Sequence, residues 1–214
     1  MCGRFTLTAT LDEVKQALEA DILKTEQIDP NYNIAPSMEV LVLISDGSRK
    51  RLGSLTWGFT PLWIGGKRLI NARAESLYSK PTFKKAVKTR RCLIPATGFY
   101  EWKNTEDGKK PYFIYHKSNE LLAFAGLWQK EVDDSWSCTI VTTEASKDME
   151  GLHHRMPLFL EGEARKEWLD PQQEDVRHLL VPPPPSDRLT MYPISTRVNR
   201  PRENDADLLK PAAD

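Results

Sequence analysis

Period-two patterning dominates this chain, and the runs that carry it lie too close together for helices to fit between them. Glu39–Ser45 (EVLVLIS) reads as a buried strand, and the Asp46-Gly47 pair after it is a turn signal. Arg51–Thr60, with Trp57 inside it, reads as a second strand. Leu93–Lys103, Pro111–His116, Leu121–Lys130 and Trp136–Thr143 read as four more, parted by the short polar turns Glu106-Asp107-Gly108, Ser118-Asn119 and Asp133-Asp134. Strands spaced this closely are expected to pair antiparallel. Helices are few. Thr10 followed by Glu13 forms a capping box before LDEVKQALEA, and Pro81 suits the first helical position of PTFKKAVKTR. Glu163–Leu169 and Gln172–Leu180 read as helices interrupted at Pro171. Pro182–Pro185 reads as a stiff connector, and Leu189–Ile194 as a returning strand. The expected fold is one α+β domain over 1–199, built on a curved, largely antiparallel sheet or barrel-like core with a few flanking helices. A polar C-terminal tail is expected over 200–214.

Composition narrows the function class. With 214 residues, 40% of them apolar, the chain has enough apolar mass for a real core. No run approaches the length of a membrane span, and MCGRFTLTAT lacks the apolar region of a secretory signal. Three cysteines, Cys2, Cys92 and Cys138, with no export signal, point to reduced thiols in a cytosol. No cysteine or histidine spacing of a structural metal site occurs, so no metal is expected. Net charge is zero, but its distribution is uneven. Between Gly47 and Arg91 stand twelve basic residues and one acid, Glu75. That asymmetry fits either a cationic face or an ordinary solvated helix surface.

Four segments look like chemistry. Removal of Met1 before a small second residue would leave Cys2 with a free α-amine beside its thiol. That amine has a reference pKa near ~8, so a useful fraction is neutral at physiological pH. An amine condenses with an aldehyde to a Schiff base. A thiol on the adjacent carbon can then close a thiazolidine, favoured by effective molarities of roughly 10⁵ M or more. Arg4 next door is expected to favour thiolate. In Ile70–Glu75, alternation puts Asn71, Arg73 and Glu75 on one face, where Asn71 would orient a substrate and Arg73 would clamp a phosphate. Gly98–Lys103 (GFYEWK) sets Glu101 among aromatics, a setting for proton transfer. Leu152–Pro157 holds two of only four histidines, and one of them suits a proton shuttle. Taken singly, each has a plain structural reading: a passive second residue, a solvent-facing strand, a loop histidine.

Taken together, MCGRF, YNIAPS (Tyr32–Ser37), WGFTPLW (Trp57–Trp63), INARAES (Ile70–Ser76), GFYEWK, IVTTEA (Ile140–Ala145) and HHRMP (His153–Pro157) occur in this order. The chain resembles the SOS response-associated peptidase family from Met1 to about Asn199. The resemblance implies a cytoplasmic protein, nucleoid-associated when on DNA, that senses abasic sites in single-stranded DNA, acts as a monomer and needs no cofactor. It implies a thiazolidine crosslink through Cys2, lyase-type imine chemistry, and removal of Met1, by the protein itself or by an aminopeptidase. Asn71, Glu101 and His153 match the other catalytic positions. Arg4, Arg73 and Arg155 match phosphate contacts. Trp63 and Trp102 match apolar supports of the DNA path, and Thr142 a hydroxyl near the site. The chain departs from the family's pattern at Ile64, Pro81, Thr82 and His154. Three rivals remain on residues alone: a cysteine peptidase or amidohydrolase using Cys2, a non-covalent reader of modified DNA, and a purely structural domain.

Overall fold

The computed structural model describes residues 2–61, 65–182 and 188–212. In chain order its first elements are β1 (Phe5–Leu7), α1 (Leu11–Ala17), β2 (Ile22–Leu23), β3 (Asn31–Ile34), β4 (Glu39–Ser45) and β5 (Lys50–Trp57). Then come β6 (Asn71–Arg73), α2 (Pro81–Lys84), α3 (Ala86–Thr89), β7 (Arg91–Ala96), β8 (Gly98–Thr105) and β9 (Gly108–His116). The chain finishes with β10 (Leu122–Lys130), β11 (Trp136–Glu144), β12 (Arg155–Pro157), α4 (Glu163–Leu169) and β13 (Leu189–Pro193).

Five strands form a closed ring. β5, β4, β7, β10 and β11 pair antiparallel in that order. Parallel pairing of β11 with β5, Ser137 opposite Thr56 and Cys138 opposite Trp57, shuts the barrel. A second, wholly antiparallel sheet has the order β13-β9-β8-β1-β3. The α+β, barrel-like expectation therefore holds. Pairing is largely antiparallel, as expected, with three parallel exceptions: β11 with β5, β11 with β6, and β5 with β2.

The run expected as one strand over Leu93–Lys103 is two. β7 belongs to the barrel and β8 to the second sheet, with Thr97 at the corner. The Thr97 N–H donates to the Thr6 carbonyl, and its hydroxyl bonds the Thr6 and Thr8 hydroxyls. These contacts fasten β1 to the corner. A Cβ on Gly98 would lie 2.4 Å from the Phe113 ring, so only glycine lets β8 leave the corner this close to β9. Phe5 then packs edge-on to Trp57 (centroids 5.2 Å apart) and to Phe124 (5.9 Å), and Phe99 to Phe124 (6.0 Å). All four rings are fully buried or nearly so. Each such burial stabilises the fold by about 1.5–3 kcal/mol, and together they lock the N-terminal strand onto the barrel.

The capping box holds: Thr10 accepts from the Glu13 N–H, and the Glu13 carboxylate accepts from the Thr10 N–H. Pro81 opens α2, but the helix expected beyond it is split into α2 and α3. α4 forms as expected. The helix expected over Gln172–Leu180 does not, apart from one 3-10 turn at Arg177–Leu179. Arg91 explains why. Its guanidinium is buried and gives N–H bonds to five backbone carbonyls: Val87, Lys88, Trp168, Asp170 and Gln173. Tyr78 adds two more ties, donating to Glu174 O and accepting from the Val176 N–H. These bonds hold the segment in an irregular path. Arg91 is thus removed from the cationic face counted from sequence. The expected polar tail is docked as well. Leu208 is fully buried, and Asn33 donates to the Val198, Arg200 and Glu203 carbonyls. The expected connector falls, but for Pro182, outside the described residues.

Candidate active site

Two anchors bring the start of the chain to the site. β1 runs antiparallel to β8, with Phe5 opposite Phe99 and the Tyr100 N–H donating to the Arg4 carbonyl at 3.0 Å. The same register continued toward the N-terminus carries Gly3 alongside Glu101. On the barrel side, Trp57 packs on Phe5 and gives its indole N–H to the Ile70 carbonyl at 2.9 Å. Ile70 begins the stretch that becomes β6, which lies against Ile140–Thr142 of β11. One buried tryptophan thereby registers both Cys2 and Asn71. Their meeting is direct: Asn71 Nδ2 donates to the Cys2 carbonyl at 2.9 Å. Asn71 Oδ1 is buried and has no hydrogen-bond partner among the described residues, an acceptor in reserve.

Glu101 and His153 face a cleft of about 430 Å³ that Trp102, Asn104, Lys109 and Asn199 also line. β8 supplies Glu101, Trp102 and Asn104, and β9 supplies Lys109. His153 comes from the loop between β11 and β12, closed by an Ala145 N–H bond to the His154 carbonyl and anchored by buried Met149. His153 Nδ1 lies 2.9 Å from the Arg155 N–H and 3.1 Å from the Arg155 carbonyl. Accepting from the first leaves the ring proton on Nε2; donating to the second leaves Nε2 bare. The same backbone therefore supports both tautomers. Burial lowers the His153 pKa below its usual value, with the nearby Glu101 charge pulling the other way.

Cys2 is fully buried in this chain, which still includes Met1. Burial, and then the Glu101 charge, raise its thiol well above the usual range. The expectation of an Arg4-stabilised thiolate is therefore overturned. Arg4 turns its guanidinium away, to Asn33 Oδ1 and the Val198 carbonyl, both at 2.7 Å. Arg155 is likewise occupied. It is buried, forms a two-pronged ion pair with Glu75 (2.7 and 3.1 Å), and donates to the Thr142 carbonyl and hydroxyl. Arg73, by contrast, is exposed and has no hydrogen-bond partner for its side chain among the described residues. Thr142 is buried in β11, opposite Arg73 and Pro157. Trp102 lines the cleft, its indole N–H held by Asn199 Oδ1 at 2.8 Å. Trp63 and Ile64 lie outside the described residues.

The arrangement thus unites Cys2, Asn71, Glu101, His153 and Trp102, with Arg73, Thr142 and Arg155 on the adjoining strands. Sequence reasoning missed Asn104, Lys109 and Asn199. The first two were within reach, because the Glu106-Asp107-Gly108 turn fixes Asn104 opposite Lys109. Asn199 carries no local signal. Among the described residues no group of acidic, histidine or cysteine side chains gathers as a metal site, and no helix is long and apolar enough to cross a membrane.

Comparison with known proteins agrees over nearly the whole chain. Residues 1–201 match the family model described as SOS response associated peptidase. The abasic site processing protein YoqW of Bacillus subtilis is 42% identical, over 98% of this chain and 99% of its own. The abasic site processing protein YedK of Escherichia coli is 30% identical, over 99% of this chain and 100% of its own. A crystal structure of a Bacteroides thetaiotaomicron protein, 23% identical, shares the fold with a TM-score of 0.82, covering 99% of this chain and 100% of the other.

Proposed function

The chain belongs to the SOS response associated peptidase family, and on that premise we propose that it captures abasic sites in single-stranded DNA as a covalent thiazolidine on Cys2. The observation that carries this reading is the Asn71 bond to the Cys2 carbonyl, made where the Glu101 charge acts on the Cys2 thiol. It fixes the backbone of the residue whose nitrogen becomes the amine once Met1 departs.

The abasic sugar is a closed hemiacetal, and His153 moves a proton at the ring oxygen and C1′ hydroxyl as it opens to the aldehyde. The Cys2 amine adds to C1′, Glu101 carries the proton from nitrogen to the departing hydroxyl, and water leaves. The Cys2 thiol then adds across the C=N bond, sulfur to carbon and its proton to nitrogen. A thiol held protonated by burial suits that last step, in which S–H rather than thiolate is consumed. Asn71 Oδ1 is free to accept from the amine. Removal of Met1 by the protein itself, lyase activity, and a monomeric state belong to the same reading. Phosphate contact falls chiefly to Arg73, since Arg4 and Arg155 are bound within the protein. Such contacts position the strand without reading its sequence.

The test is incubation of Met1-free protein with uracil-containing single-stranded DNA and uracil glycosylase. A denaturation-resistant adduct, mapped by mass spectrometry to Cys2 and absent in Cys2→Ala, is the expected result. A durable adduct on any other side chain, or none at all, overturns it.

A further inference from the structure

The cleft has a wall that the capture chemistry leaves unused. In the β8–β9 register Trp102 pairs with Pro111 and Asn104 with Lys109. Alternation therefore sets Trp102, Asn104 and Lys109 on one face of the hairpin and Glu101 on the other, and all four line the one cleft, together with His153. Lys110 and its partner Lys103 take the face that Glu101 takes, and neither lines the cleft. Lys109 is exposed, has no ion-pair partner among the described residues, and is the only lysine or arginine lining this cleft. Asn104 stands three residues beyond Glu101, roughly 10 Å along the strand. Trp102 cannot swing freely, because Asn199 Oδ1 holds its indole N–H.

We propose that this wall is a subsite for the nucleotide next to the lesion, with Lys109, assisted by the Asn104 amide, binding its phosphate. The inference rests on the proposed capture of abasic DNA and deepens it by naming a specific anchor for the flanking strand. A phosphate fits better than a neutral group. An ammonium is a point charge that binds phosphate well, and without one the Glu101 carboxylate would repel a polyanion from the cleft.

The experiment compares Lys109→Gln with Lys110→Gln. The two variants lose the same charge one residue apart, on opposite faces. Affinity for an abasic single strand is read by fluorescence anisotropy over a salt series, in a Cys2→Ala background so that no crosslink interferes. Lys109→Gln is expected to weaken binding several-fold at low salt and to flatten the log–log salt slope by about 0.7, the contribution of one phosphate on a single strand. Lys109→Arg should restore both, and Lys110→Gln should leave both at the parent value. With Cys2 present, Lys109→Gln should raise the DNA concentration for half-maximal crosslinking and leave the saturated rate unchanged. A strand carrying one neutral methylphosphonate beside the lesion should bind Lys109→Gln and parent equally. Equal losses in Lys109→Gln and Lys110→Gln would overturn the subsite, as would an unaltered salt slope. Should the parent form no crosslink while the two variants still differ in binding, the capture reading fails and the subsite stands.

Discussion

Two buried arginines in one molecule are used in opposite ways. Arg91 and Arg155 are both nearly inaccessible. Arg91 gives all five of its N–H bonds to backbone carbonyls and leaves nothing over. Around Arg155 the polar groups are only partly matched. Its own Nε is buried without a partner among the described residues, as are Asn71 Oδ1 on β6 and the Thr139 and Thr143 hydroxyls on β11. An unpaired buried polar group costs about 1–3 kcal/mol. Among the described residues no side-chain atom of Arg91 is left in that state. A fully paired network fixes a fold; a partly paired one retains donors and acceptors for an incoming ligand.

Arg91→Leu puts the widest gap between the two regions. Several buried carbonyls lose their donor at once, so a loss of about 3–5 kcal/mol is expected. At about 2–4 °C per kcal/mol for a chain of this size, Tm should fall by roughly 10 °C. Crosslinking per folded molecule, measured well below the transition, should match the parent. A Tm within a few degrees of the parent would break the contrast. Asn71→Ala should do the reverse. It loses one partly buried hydrogen bond, about 1 kcal/mol of stability, yet frees the backbone that bears the nucleophile. Misplacement of that order costs up to about 100-fold in rate, and crosslinking kinetics beside a thermal melt read both effects. Equal damage to rate and stability would mean that Asn71 is a structural residue like Arg91.

The same contrast marks what was legible in the sequence. The strands were, because alternation records which face is buried. So were the Asp46-Gly47 turn and the Thr10–Glu13 cap, because each is chemistry within four residues. β11's parallel partners were not, since nothing near Ser137 or Ile140 encodes a strand sixty or more residues earlier. Gln172–Leu180 has helix-like local patterning, and Arg91 and Tyr78 override it from about a hundred residues away. Cys2, Asn71, Glu101 and His153 could be nominated by residue type and by resemblance. Their electrostatics could not. Arg4 stands two residues from Cys2 but spends its charge on Asn33 and Val198, so sequence proximity misjudged the thiol. The charge that matters to Cys2 comes from Glu101, ninety-nine positions along.

The smallest expected effect separates the regions by titration. Arg91 keeps its charge across the working pH range, whereas His153 does not. Its folded pKa lies below the usual 6.5, burial being the larger cause and the Glu101 charge opposing it. The unfolded chain therefore binds the proton more readily. Stability supplied by the neutral ring is fully present above pH 6.5. It declines as pH falls through 6.5 and levels off below the folded value. Because His153 is only partly buried, the decline should be shallow. An NMR titration of the ring gives the cleaner reading, with a midpoint expected below 6.5. Glu101→Gln removes the one nearby charge that favours the protonated ring, so the midpoint should fall further. A rise in that variant would mean that Glu101 does not act on His153 through its charge, and the pairing of these two groups as proton carriers would have to be abandoned.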